Sequence, residues 1–312
     1  RELPLEVIEH IPAGKKPEKQ IEAHQCARIM TGAMVPAGAD TVGMFEDTEV
    51  RDGMVHVVKK SDATNIRYRG EEVRNGKCVC AAGTRITPVE TAVLATFGCH
   101  TVPVRMAPLV GVIATGSELV EPSCIPSEEQ IRNSNSYQLW AQIERCGCNA
   151  RYFGIARDTQ EAIDSKLKAA LEECDVVLLS GGVSMGDYDF VPAVLKDNGI
   201  TLHFEKVAVK PGKPTVFGTK ENKWFFGMPG NPVSTYIIFE LFVRPLLCMC
   251  MGHSWRHIKF QATLSKTLTR RKSERLSFRP VQINDDGTVR PPLYYGSAHI
   301  HAFTGADGVI AF

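Results

Sequence analysis

Between residues 108 and 252, short continuous apolar runs alternate with stretches whose apolar positions recur every three or four residues. The runs "PLVGVIA", "ARYFGIA" and "DVVLLS" predict buried strands, and "TLHFEKVAV", "PTVFG" and "KWFFGM" predict three more. The stretch from about Asn135 to Cys146, "DTQEAIDSKLKAALEEC" and "DFVPAVLKDNG" predict helices, and a long helix is predicted from about Pro232. Alternation of this kind specifies an α/β domain with a mostly parallel sheet. Ligands of such sheets sit beyond the carboxyl ends of the strands.

The flanking pattern differs. Residues 1–19 read as a short lead-in with a polar turn, "AGKKPEK". Residues 20–86 carry short alternating runs such as "VHVV", broken by Gly, Asn and Asp at hairpin intervals. "TPVETAVLATFG" predicts one helix within 87–107, with Thr87 as its cap, Pro88 in the first turn and Gly98 at its end. Residues 253–312 lose the alternation and read as a small β domain. In it, His299 and His301 of "SAHIHAF" are expected on one face of a strand, and "RRKSER" is expected to be a solvated turn.

Composition narrows the function classes. Of 312 residues, 44% are hydrophobic and 23% charged, and the net charge is +1. No overall field therefore favours nucleic acid or a membrane surface, and any anion site must be local. The first residues, "RELPLEVIEH", lack the apolar segment of a signal peptide. The longest apolar stretch contains Glu240, Arg244 and Pro245, which argues against a membrane span. Ten cysteines include three C-x-C pairs, Cys78 and Cys80, Cys146 and Cys148, Cys248 and Cys250. Zinc sites use C-x2-C, so these are expected to be reduced, partly buried thiols of a cytoplasmic protein. The chain starts without Met and stops inside the apolar run "DGVIAF", so both ends are expected to be cut edges, the last region being truncated.

The candidate chemistry lies in four loops that follow the predicted strands: "TGSEL", "GGVSMGDYD", "KPGKP" and "PGNPVS". Glycines let backbone amides approach a ligand, and amide-lined loops that open helices bind anions. The lysines add point charges on a stiffened loop. Glu118, Asp187 and Asp189 suit a hard divalent cation that bridges to phosphate oxygens. Four such loops on one sheet edge point to a phosphorylated ligand with a metal. Neither the dinucleotide fingerprint, nor a P-loop, nor a G-x-S-x-G elbow is present. Ser117 therefore reads as a hydrogen-bonding or capping residue. The candidate ligand contacts are Thr115, Gly116, Ser180, Gly181, Gly182, Ser184, Gly186, Asp187, Pro229, Gly230, Asn231, Pro232 and Ser234.

In this order, "TGSEL", "SGGVSMGDYDF", "KPGKPTVFG" and "GMPGNPVS", with "ARIMTGAMVPAGADTV" upstream, resemble the molybdopterin molybdenumtransferase family (MoeA, the gephyrin E domain and the plant molybdenum insertase). The resemblance implies a partial extended helical domain (1–19 and 87–107), a β-rich insertion domain (20–86), a molybdopterin adenylyltransferase-like α/β domain (108–252) and a C-terminal small β barrel (253–312). It implies a homodimer that places molybdate on adenylylated molybdopterin and releases AMP, with Mg2+ or another divalent cation. By this resemblance Asp189 and Glu118 hold the metal, Asp158 is a further functional aspartate, and Lys206, Lys210 and Lys213 surround phosphate and molybdate. Thr31 is offered across the dimer and Arg279 binds molybdate. The family's "MDGYA" motif is missing, and "HIHAF" stands where relatives tend to carry serines. A scaffold protein of the same fold and a molybdopterin adenylyltransferase are the alternatives.

Overall fold

The computed structural model describes residues 3–59, 62–183, 190–269 and 274–312. The chain divides into two compact units, 1–79 and 80–312.

In the first unit, β1 (Glu6–Ile11) pairs in parallel with β2 (Gln25–Ile29), and β3 (Thr48–Arg51) forms a hairpin with β4 (Met54–Val57). The run "VHVV" falls on this hairpin. The lead-in expected at 1–19 thus contains a paired strand, because "EVIEHI" buries Ile11 beside β2.

The second unit opens with α1 (Pro88–Thr96). Thr87 and Glu90 cap it reciprocally, the Thr87 N–H donating to Glu90 at 2.9 Å. Gly98, at φ 75°, ends it in the left-handed conformation that residues with a Cβ disfavour. Then come β5 (Leu109–Thr115), β6 (Leu119–Val120), β7 (Ile131–Arg132), α2 (Asn135–Arg145), β8 (Asn149–Ala156), α3 (Gln160–Glu173), β9 (Val176–Ser180) and α4 (Val191–Asp197). They are followed by β10 (Thr201–Lys206), β11 (Val209–Lys210), β12 (Pro214–Lys220), β13 (Lys223–Met228), α5 (Pro232–Ile238) and α6 (Arg244–Cys250). The last strands are β14 (Leu276–Ile283), β15 (Val289–Arg290) and β16 (Gly308–Ala311).

Six strands form the central sheet in the order β10-β12-β13-β9-β5-β8. The pairs β13–β9, β9–β5 and β5–β8 are parallel, and β12 runs antiparallel to both neighbours. Every residue of β9 is buried, which explains its unbroken "VVLLS". Its alternate side chains split between two cores: Val176 and Leu178 join Leu139, Ile143 and Ile237 on one face, and Val177 and Leu179 join Ile163, Leu167 and Val194 on the other. Each fully buried Leu contributes about 1.5–3 kcal/mol.

The run Pro232–Cys250 is long and apolar enough to cross a membrane, and 56% of that window is buried within the protein. Its charges are paired, Arg244 Nε donating to Glu240 Oε2 at 2.6 Å. A π turn at Phe239–Val243 precedes Pro245, which has no N–H to continue an α-helical ladder.

Two expected strands differ. "TLHFEKVAV" breaks into β10 and β11, and β11 leaves the main sheet to pair in parallel with β14. The small sheet is then centred on β14, with β15 and β16 antiparallel to it. His299 and His301 lie on no strand: a short 3-10 turn, Ile300–Phe303, carries this segment because Gly296 and Ser297 begin a turn before it.

Candidate functional site

A cleft of about 1270 Å³ lies along the carboxyl edge of the central sheet, and all four loops contribute to it. From the predicted contacts it gathers Thr115, Gly116, Glu118, Asp158, Ser180, Gly181, Gly182, Lys210, Lys213, Pro229, Gly230, Asn231, Pro232, Ser234 and Arg279. Lys206 ends β10 and is exposed, outside the cleft lining. Thr31 belongs to the first unit. Ser184, Gly186, Asp187 and Asp189 fall outside the described residues, as do Arg270, Arg271, Lys272 and Ser273 of "RRKSER".

Close approach to the backbone requires glycine at position 181. A Cβ on Gly181, at φ 100°, would stand 2.5 Å from the Thr115 carbonyl oxygen. One on Gly116 would meet the Glu118 carboxylate at 2.6 Å. That carboxylate therefore folds back over its own loop.

Hydrogen bonds tie the loops to each other. Ser117 N–H donates to Asp158 Oδ2 at 2.8 Å, and Asp158 N–H donates to Ser117 Oγ at 3.2 Å. Ser117 thus bonds within the loop edge, as its reading as a hydrogen-bonding residue requires. Asp158 joins the loop after β5 to the start of α3 through this pair. From the first turn of α5, Thr235 Oγ1 donates to the Pro229 carbonyl of the preceding loop at 2.6 Å. Thr215 Oγ1 donates to the Gly212 carbonyl at 2.7 Å and closes the lysine loop.

Sequence reasoning missed Asn135. Its Nδ2 donates to Ser180 Oγ at 2.8 Å and to the Gly230 carbonyl at 2.7 Å, clasping two glycine loops from the first turn of α2. Its Oδ1 is buried and has no partner among the described residues. The signal was present in "IRNSNS", a polar run directly before a helix at the same edge. Behind it, Glu121 accepts from Tyr152 at 2.8 Å and from Tyr137 at 3.0 Å. Burial, then the bond to Glu121, pushes the Tyr152 phenol well above its ordinary range, so it stays a neutral strut.

The small sheet supplies the other wall. Lys210 pairs with Ser277 in the β11–β14 register, and Arg279 lies two residues on, on the same strand face as Ser277. Tyr294, Tyr295 and Ser297 also line the cleft, and none of them was singled out in the sequence. The described lining holds five basic side chains, Arg132, Lys210, Lys213, Arg275 and Arg279, against the acidic Glu118 and Asp158. Among the described residues, basic side chains thus outnumber acidic ones in the cleft of a chain whose net charge is +1.

Among the described residues no three His, Cys, Asp or Glu side chains gather as a metal site. A hard cation bound chiefly through substrate phosphates needs only one or two protein carboxylates. Glu118, in the cleft beside the basic loops, fits that requirement.

Fold and cleft together define an α/β protein with a glycine-lined, basic cleft at the carboxyl edge of its central sheet. Residues 111–248 match the family described as "Probable molybdopterin binding domain", and residues 2–98 match "MoeA N-terminal region (domain I and II)". The chain is 31% identical to a molybdopterin biosynthesis MoeA protein of known structure from Pyrococcus horikoshii, with a TM-score of 0.76, covering 99% of this chain and 76% of that one. A second structure of that organism's MoeA protein gives a TM-score of 0.79 at 29% identity over the same shares. The chain belongs to the MoeA family. The molybdopterin molybdenumtransferase of Bacillus subtilis (strain 168) is 41% identical over 274 residues, 85% of this chain, and the chain spans 64% of that relative's length.

Proposed function

We propose that the chain places molybdate on the dithiolene of adenylylated molybdopterin and releases AMP, the last step of molybdenum cofactor biosynthesis. One observation carries the reading: four amide-rich loops, two carboxylates and five basic side chains converge on one cleft. The ligand is a phosphorylated pterin with an anhydride, and molybdate is a dianion. Both need amide donors and fixed cations more than they need a nucleophile.

In this reading Gly181, Gly182 and Gly230 bring backbone amides to the phosphates, and Lys210 and Lys213 balance their charge. Arg279 holds molybdate from the opposite wall. Glu118, together with Asp189, would hold Mg2+, which supplies neutralisation of the anhydride's charge. We place the protein in the cytoplasm as a homodimer, with Thr31 offered by one subunit to the other's cleft. The resemblance in "TGSEL", "KPGKP" and "PGNPVS" and the family membership support these assignments.

The test is incubation with adenylylated molybdopterin and Mg2+ while molybdate and tungstate are varied and AMP is followed. Oxyanion- and metal-dependent AMP release is expected. AMP release that ignores both additions would sink the proposal.

A further inference from the structure

Phosphate recognition leaves one part of the cleft unexplained. Tyr295 lines it, yet a phenol carries no charge to offer a phosphate. Its ring stacks on His299, with centroids 5.1 Å apart and planes 23° from parallel. The Tyr295 N–H donates to His299 Nδ1 at 3.3 Å. The segment that carries the pair is anchored on α5. Phe303, in the turn after His299, packs on Tyr236 with centroids 5.3 Å apart. The Ser297 carbonyl accepts from the Val233 N–H of α5 at 3.0 Å. Tyr295 nevertheless remains 77% exposed, so the ring face away from His299 is open.

A ring held from behind and open in front is built to stack a second planar system. Stacking on a tyrosine tolerates any flat heterocycle, because every such ring has a π face. We propose that Tyr295, backed by His299, is the platform on which a heteroaromatic ring of the phosphorylated ligand stacks. The proposal rests on the reading of the cleft as a site for such a ligand. It gives His299 of "HIHAF" a role: the imidazole is the back support of the platform.

The ligand has two candidate rings, a pterin and an adenine, with shared stacking chemistry. Calorimetric titration of the full chain and of Tyr295→Leu separates them, using AMP, a hydroxymethylpterin monophosphate, ribose 5-phosphate and pyrophosphate, each with Mg2+. The variant is expected to lose about tenfold in affinity for the ring-bearing probe that stacks, with ribose 5-phosphate and pyrophosphate unchanged. Tyr295→Phe should bind like the parent. Loss for AMP alone assigns adenine, and loss for the pterin alone assigns the pterin. Unchanged affinity for both ring-bearing probes, or an equal loss for all four, overturns the platform while leaving the anion cleft in place. A parent chain that binds none of the four overturns both readings.

Discussion

The two edges of the central sheet are built from the same strands and do opposite things. At the amino edge the chain closes on itself. Asp175 Oδ2 accepts from the Leu109 N–H at 2.8 Å, and Lys223 Nζ donates to the Cys174 carbonyl at 3.0 Å. Cys148, Cys174 and Cys248 are buried there, and Cys148 Sγ lies 3.9 Å from Met251 Sδ. At the carboxyl edge, glycines hold the backbone too close for any side chain, and polar groups line a cleft. The difference teaches where this fold spends conformational freedom. One edge is optimised for closure, and the other keeps costly geometry because a ligand needs it.

The largest effect should come from inserting a methyl group at each edge. Gly181→Ala puts a carbon 2.5 Å from the Thr115 carbonyl at a positive φ. It is expected to cost about 2–4 kcal/mol of stability and to abolish AMP release. Gly147, at the amino edge, also has a positive φ of 82°, but a Cβ there would meet nothing within 4 Å. Gly147→Ala should cost only backbone strain, about 1–2 kcal/mol, with AMP release intact. Urea unfolding and the AMP assay on both variants check this. Equal loss of turnover in the two would break the contrast between edges.

A smaller effect is expected from Asn135→Ala. It removes the clasp between Ser180 and Gly230, which should lower stability by about 1–2 kcal/mol and raise KM for the adenylylated substrate several-fold. Unfolding curves and steady-state kinetics measure the two separately. An unchanged KM would show that the two glycine loops hold their positions without the clasp.

These residues also mark how far the sequence could be read. The strands, helices and four glycine loops were legible because burial on both faces leaves unbroken apolar runs, as in "VVLLS", and because close backbone approach leaves glycines. The break between β10 and β11 was not legible. "TLHFEKVAV" keeps a strand's pattern throughout, and the departure of β11 is decided by pairing with Leu276 and Ser277, more than sixty residues away. Asn135 was hidden for a related reason: an Asn at the start of a helix ordinarily reads as a capping residue, and only the fold brings Ser180 and Gly230 to its amide. Tyr295 and His299 are neighbours through a turn, where the alternation of His299 and His301 suggests a strand.

The smallest effect concerns the amino edge. Burial pushes the Cys146 and Cys174 thiols up to about 11 and the Cys148 thiol up to about 12. Near neutral pH all three are therefore protonated and poor nucleophiles, while Cys99 and Cys124 are exposed. Iodoacetamide at pH 8, followed by peptide mass mapping, should modify Cys99 and Cys124 well before the three. The same shifts fix the sign of a stability change. Well below the unfolded value of about 8.5, the thiols are protonated in both folded and unfolded chains, and they contribute no pH dependence. From about pH 8 upward the unfolded chain releases protons that the folded chain keeps, so stability falls as pH rises toward the folded values of about 11 to 12. Replacing Cys148 with Ala should flatten that decline in urea titrations between pH 8 and pH 10, at a small cost from the space left behind. A decline as steep as the parent's would mean that other groups set the alkaline limit, and that closure of the amino edge does not depend on its thiols staying neutral.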